Sequence, residues 1–268
     1  TGSTKDRMAT VVLSRFKELG VKAFATSSTG NSSTSFAYVI RHYPECRVYL
    51  FAGEEFVPRH AFCDHDQVVL FGLRDATFVD ACTVSYAYGE RHGFAPERGF
   101  FNLARREGLK LAFFEATEQI PGTIDWYVQA ISSAMGVYGV HKGAAELVAL
   151  DRIERAPRLL CVQQESNMPI VRAFQAGSPV IRPDDIVHHP RGIATAILRG
   201  DPSRVYPYVR EAVRASGGTM TAVSEREIRE SRAMVEEEEG ISPCFTASTA
   251  VAGLARLVSP ERVLQEMT

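Results

Sequence analysis

Lys5 is the first residue in this chain whose type and setting could do chemistry. It stands in Thr1-Gly2-Ser3-Thr4-Lys5-Asp6-Arg7, directly ahead of Met8, Val12, Leu13, Phe16 and Leu19. That spacing predicts a helix with one buried stripe. Ser3 or Thr4 can cap it, because a hydroxyl there accepts from a free backbone N–H. Lys5 then sits at the positive end of the helix dipole, which opposes a cation. Two readings stand. One is a solvated first-turn lysine; the other is an amine that must lose its proton and attack a carbonyl carbon.

Two further stretches could bind anions. Ser27-Ser28-Thr29-Gly30-Asn31-Ser32-Ser33 follows an expected strand at 21–26 and precedes a helix carrying Phe36, Val39 and Ile40. Ser132-Ser133-Ala134-Met135-Gly136-Val137-Tyr138-Gly139 follows an expected strand at 125–131 and opens a helix ending near Leu150. A turn between a parallel strand and a helix N-terminus gathers free N–H groups on a ligand. The first turn reads equally well as an ordinary Ser/Thr capping turn.

The elements that must position these residues alternate. Strands are expected at 47–51, 67–71, 158–163, 218–223 and 262–264, and a short extended piece at 100–102. Helices are expected at 76–92, with Phe78, Ala81, Val84, Ser85 and Tyr88 on one side, and at 105–119, with Leu109, Ala112, Phe113 and Ala116 inward. Others are expected at 167–175, 203–216, 224–239 and 245–257. This βαβα alternation implies parallel sheets covered on both faces. The acidic run Glu236–Glu239 reads as a solvated helix end.

Composition narrows the classes. The chain has 268 residues, 45% hydrophobic and 23% charged, the balance of a soluble globular protein of one large or two modest domains. A net charge of −2 gives no global field for nucleic acid or a membrane surface. Apolar runs fall short of a membrane span, and the start carries no secretion signal. Cys46, Cys63, Cys82, Cys161 and Cys244 are scattered, with no CxxC pair, which fits a reducing cytoplasm and argues against zinc. His188-His189 reads as loop polarity, so no metal site is expected. No GxGxxG follows an early strand, which sets a dinucleotide-binding enzyme aside.

A lysine that holds a carbonyl, one turn for a carboxylate and another for a phosphate together suit a pyridoxal-phosphate enzyme. The chain resembles the fold-type II pyridoxal-phosphate enzymes, threonine synthase and cysteate synthase in particular. TGSTKDR resembles the Schiff-base lysine motif, SSTGNSS the asparagine loop, and NLARREGLKLAFFEATEQI the helix that follows. DWYVQAISSAMGVYG is similar to the phosphate loop and PRLLCVQQESNMPIVRAF to the strand and helix after it; GIATAI and GGTMTAVSEREI also match. The family has a segment ahead of the lysine motif and continues past Thr268, so the sequence is expected to be trimmed at both ends or a degenerate copy.

The resemblance implies a fold and a site. The fold is α/β, two-lobed and three-layered α/β/α, tryptophan synthase β-like, with mainly parallel sheets and the cofactor between the lobes. Residues 1–21 and 116–268 would form the large cofactor-binding lobe, and 22–115 the smaller mobile one. Lys5 would be catalytic and carry pyridoxal 5'-phosphate. Asn31, Ser133, Ala134, Met135, Gly136, Gly192 and Thr268 would contact the cofactor. Ser28, Thr29, Gly30 and Ser32 would bind the substrate carboxylate. The implied activity is elimination or replacement on a small amino acid with a β or γ leaving group, O-phosphohomoserine to threonine first. β-Replacement on O-phosphoserine or another serine derivative is the alternative. A third reading is an inactive ligand-binding homologue, since Ala134, Met135, Val137 and Tyr138 stand where the family has more glycine. The family also implies a cytoplasmic homodimer with no nucleic-acid or membrane partner.

Overall fold

The structure, a computed structural model, describes residues 1–62 and 65–258. Contacts divide the chain into two compact units, Thr1–Gln119 and Ile120–Thr268. In the first, α1 (Lys5–Glu18), β1 (Ala23–Ser27), α2 (Asn31–Val39), β2 (Arg47–Gly53) and β3 (Val68–Leu73) are followed by α3 (Phe78–Arg91), β4 (Ala95–Pro96) and α4 (Leu103–Gln119). In the second come β5 (Trp126–Ala130), α5 (Met135–Ala149), β6 (Arg158–Gln164), α6 (Pro169–Gln175), α7 (Tyr206–Ala215), β7 (Thr219–Val223), α8 (Glu225–Glu239) and α9 (Phe245–Leu257).

The first unit holds a sheet of order β3-β2-β1-β4, every pairing parallel. Successive side chains on a strand point to opposite faces, and β1 uses both. Phe24 meets Phe16 of α1 and Phe36 of α2 edge-on, with ring centroids 5.0 and 5.3 Å away. Ala25, its neighbour, packs with Phe51 of β2 and Ala81 of α3, beside Tyr49, Phe71, Tyr88 and Phe94. Thr77 starts α3 with a reciprocal cap, bonding the Asp80 N–H while the Asp80 carboxylate returns to Thr77.

The second unit holds the parallel sheet β5-β6-β7. Leu160 and Val162 of β6 pack with Val223, Ile228 of α8 and Ala252 of α9. Their neighbours Leu159 and Cys161 are equally buried and point the other way. A capping box between Ser224 and Glu227 starts α8.

The expected helices and strands are in place over the described residues, with three differences. Leu19 lies past the end of α1 and is 58% exposed, so the buried stripe stops at Phe16. Val84 faces solvent, because α3 buries a narrower arc centred on Ala81 and Ser85. The piece expected to be extended at 100–102 is a 3-10 turn, Gly99–Phe101, entered through a left-handed Arg98 (φ 63°). The last strand, 262–264, and Thr268 lie outside the described residues. Among those residues no helix is long and apolar enough to cross a membrane.

Candidate active site

Lys5 is the first residue of α1. Ser3, not Thr4, supplies the cap: its hydroxyl accepts from the Lys5 N–H at 3.2 Å, while Thr4 makes no capping bond. Ser35 of α2 donates to the Asp6 carboxylate at 2.8 Å, tying the starts of α1 and α2 together. Across α1 runs α4. A Cβ on Gly108 would lie 2.6 Å from both the Arg7 carbonyl oxygen and the Met8 Cα, so only glycine lets the helices approach this closely. Lys5 is thus half-buried at a tight helix crossing. Burial first, and the Arg105 guanidinium second, push its amine from an ordinary 10.5 down to about 8. Such an amine is partly uncharged near neutrality, as the second reading of Lys5 requires.

Arg105 is itself inside the protein. It and Glu97 are 4% and 2% exposed. Its Nη2 donates to Glu97 Oε2 at 2.7 Å and to Thr26 Oγ1 at 3.2 Å, and its Nε also donates to Glu97. Glu97 accepts as well from Thr26 Oγ1 (2.9 Å), the Gly99 N–H (3.2 Å) and Asn102 Nδ2 (3.1 Å). The guanidinium lies over the Phe36 ring, 5.3 Å from its centroid. Both Glu97 oxygens and the Nε and Nη2 of Arg105 are bonded, the kind of pairing under which burial of two charges is tolerated.

The turn after β1 is built for an anion and partly occupied by its own bonds. Ser28 is buried, and its hydroxyl accepts from the N–H groups of Gly30 (3.0 Å) and Ser33 (3.2 Å). Ser28 is therefore the cap of α2, with one O–H left to donate. Ser33 donates to the Gly30 carbonyl at 2.6 Å and is not free for a ligand. Gly30 adopts φ 138°, and a Cβ there would meet Arg59 at 3.2 Å. Asn31, the first residue of α2, is exposed, and Thr29 and Ser32 are half-buried.

In the second unit, Ser133, Ala134, Met135 and Gly136 form the start of α5. No side-chain cap meets this N-terminus, so its first N–H groups have no helical partner. Ala134 turns the chain into the helix in the left-handed region, at φ 52°. Val137 points into the core at 1% exposure, so its bulk lies away from the turn. Gly136 stays glycine for a steric reason: a Cβ would sit 2.5 Å from Gln129 Oε1. Tyr127 fixes that amide by donating to the same oxygen at 2.8 Å. Gly192 (φ 151°) lies against Gln164, where a Cβ would come within 2.1 Å of Oε1. Gln164 in turn bonds the Ala194 N–H (3.3 Å) and carbonyl (3.1 Å), pinning residues 192–194 to the end of β6.

Of the site residues expected from sequence, the first unit holds Lys5, Ser28, Thr29, Gly30, Asn31 and Ser32 at the starts of two bonded helices. The second holds Ser133–Gly136 and Gly192, each at the carboxyl end of a strand. Thr268 lies outside the described residues. Sequence reasoning missed Thr26, Glu97, Arg105, Gln129 and Gln164. Their spacing carries no signal, apart from Arg105 and Gly108 sharing a helix face at i, i+3.

Each unit carries a feature that fits a carbonyl-bearing, phosphate-bearing cofactor: the first a desolvated amine on a rigid helix, the second a helix start with no side-chain cap. Parallel α/β units so equipped define a cofactor-dependent enzyme class. The chain belongs to the pyridoxal-phosphate dependent enzyme family, whose sequence profile matches residues 1–266. It is 30% identical over 260 residues to a threonine synthase of Methanosarcina acetivorans, covering 96% of this chain and 63% of that protein. It is 29% identical over 267 residues to a cysteate synthase of Methanospirillum hungatei, covering 96% and 62%. The chain thus spans slightly under two thirds of the length of these relatives. The solved structure of threonine synthase from Escherichia coli superposes with a TM-score of 0.74 at 15% identity, over 96% of this chain and 61% of that one. A threonine deaminase from Solanum lycopersicum gives 0.72 at 17%, over 94% and 66%. These likenesses show the fold, that of the fold-type II pyridoxal-phosphate enzymes.

Proposed function

We propose that this chain carries out elimination or replacement on a small amino acid with a β or γ leaving group, in the manner of threonine synthase, with O-phosphohomoserine as the first candidate substrate. The observation that carries the reading is the Lys5 amine, half-buried at the α1–α4 crossing and brought down to about 8. Bound pyridoxal phosphate would supply a carbonyl for an amine to hold and a ring that accepts the electron pair left at the substrate α-carbon.

The chain's own residues would do the rest. Lys5 would bind the cofactor and, once displaced by the substrate amine, take the α-proton and return it. An amine titrating near 8 serves both roles near neutral pH, because acid and base forms are both populated. Asn31 would donate to the cofactor's ring oxygen. The remaining Ser28 O–H, Thr29, Gly30 and Ser32 would hold the substrate carboxylate. The free N–H groups at 133–136 would take the cofactor phosphate, and Gly192 would line its ring. The cysteate synthase relatives, matched at similar identity, favour a second reading, β-replacement on O-phosphoserine or a related serine derivative. We further infer a cytoplasmic homodimer, on the resemblance to the family.

The test is the visible spectrum of the cofactor-loaded protein with each candidate. A band that shifts on adding O-phosphohomoserine supports the first reading, and one that shifts only with serine derivatives supports the second. A band that no amino acid shifts, or no band at all, overturns both and leaves a non-catalytic binding protein.

A further inference from the structure

Ser166, in the second unit, carries a hydroxyl to which the reading above gives no role. It lies in the turn that leaves β6, at the carboxyl end of a parallel strand, where α/β sheets bind ligands. Both of its neighbours are tied down. The Glu165 N–H donates to the Val223 carbonyl at 2.9 Å, and Arg256 Nη2 donates to the Glu165 carboxylate at 3.3 Å. The Asn167 N–H donates to the Gln164 carbonyl at 2.9 Å, and its Nδ2 donates to the carbonyls of Ile197 (3.3 Å) and Arg199 (3.4 Å). Between them Ser166 is exposed, and its hydroxyl bonds no described residue. That hydroxyl lies against Gly192. A Cβ on Gly192 would come within 2.7 Å of Ser166 Oγ, as well as 2.1 Å from Gln164 Oε1. Of these two side chains, Gln164 is engaged with Ala194 through both amide atoms, whereas Ser166 Oγ is uncommitted.

We propose that Ser166 is a cofactor-contacting residue: its hydroxyl hydrogen-bonds bound pyridoxal phosphate beside Gly192. The inference rests on the assignment of Gly192 to the cofactor ring, and it adds a side-chain contact at a place otherwise served by backbone alone. The arrangement differs from that of an ordinary surface serine in two respects. The turn is bonded on both sides of Ser166, so its hydroxyl is held in place before any ligand arrives and little freedom is lost on binding. The bare backbone of Gly192 leaves the hydroxyl next to the segment assigned to the ring, a place that any side chain at 192 would fill. A serine hydroxyl both donates and accepts, which suits a cofactor that carries acceptor oxygens and a ring nitrogen. The adjacent carboxylate does not set a negative charge free there, because Glu165 is paired with Arg256.

The experiment reads cofactor binding, without substrate or turnover. The full chain, stripped of cofactor, is titrated with pyridoxal phosphate, and the dissociation constant is taken from the visible band. The urea midpoint of the stripped protein is measured alongside. Ser166→Ala raises the dissociation constant about three- to tenfold, the usual net effect of one lost hydrogen bond. Its urea midpoint stays at that of the parent, because the hydroxyl has no described partner in the fold. Ser166→Thr keeps the hydroxyl and binds the cofactor close to the parent. A dissociation constant unchanged in Ser166→Ala overturns the proposal and leaves a solvated serine. So does a lowered midpoint in that variant, which would make the hydroxyl structural, and so does Ser166→Thr binding as weakly as Ser166→Ala. Failure of this inference is distinct from failure of the proposed activity. An unsubstituted chain that forms no band overturns both. A chain that binds the cofactor but responds to no amino acid overturns the activity alone, and equal binding by parent and Ser166→Ala overturns the Ser166 contact alone.

Discussion

Gly108→Ala separates steric necessity from helix propensity. Gly108 lies within α4, where alanine is intrinsically better than glycine by about 1 kcal/mol. On propensity alone the substitution stabilises. The added Cβ, however, would stand 2.6 Å from Arg7 O and Met8 Cα, whereas ordinary contact begins at 3.4 Å. Those atoms are backbone, so no rotamer change relieves the clash. The α1–α4 crossing must open by about 0.8 Å, the difference between the two distances. Forcing one methyl into a packed contact typically costs about 1–3 kcal/mol. Set against the propensity gain, the net expectation is a loss of up to about 2 kcal/mol. The assay is urea unfolding, read as a lower midpoint at unchanged slope, with cofactor affinity measured in parallel because the shift moves the first turn that carries Lys5. A midpoint above that of the parent, the outcome propensity alone predicts, would refute the close approach of the two helices and the rigid seat it gives Lys5.

Two other predictions follow from the site. Ser28→Ala removes the acceptor for the Gly30 and Ser33 N–H groups and should cost about 1 kcal/mol of stability, the usual worth of a helix cap. Unchanged unfolding with only a raised KM would show that Ser28 serves the substrate alone. Lys5→Met should stabilise the protein at pH 7. The folded amine titrates near 8 and the unfolded one near 10.5, so between those values the unfolded chain binds more protons and stability rises with pH. Below pH 8 the penalty of charging a confined amine is complete. The variant should be ahead there by up to roughly 2 kcal/mol once screening of a half-exposed group is allowed for, and its lead should shrink as pH climbs toward 10.5. Unfolding curves of both proteins across pH 7–10 check the sign.

Much of this was legible in the residues because the signals were local. The stripe Met8–Val12–Leu13–Phe16 placed α1 and put Lys5 at its start. Polar turns after apolar runs marked the starts of α2 and α5, and the alternation of elements implied the parallel sheets that form. What stayed hidden depends on contacts between distant segments. Spacing does not tell that Glu97, in a loop, will be sealed against Arg105 and Thr26, residues 8 and 71 positions away along the chain. Nor does it tell that Ser28 will turn inward as a cap while Thr29 and Ser32 stay partly open. The 3-10 turn at Gly99–Phe101 reads as an extended apolar pair until the left-handed Arg98 ahead of it is known. Gly136 looks like one small residue among several, although a Cβ there would displace the Gln129 amide that Tyr127 holds.

The proposed chemistry stands or falls with Lys5 as the residue that holds the cofactor. The most direct measurement is to load the protein with pyridoxal phosphate, fix the covalent bond by borohydride reduction, and map the modified lysine by peptide mass spectrometry. One dominant site is expected, in the peptide containing Lys5, absent from Lys5→Ala protein. Modification centred on another lysine, or an undiminished yield in the Lys5→Ala protein, would contradict it.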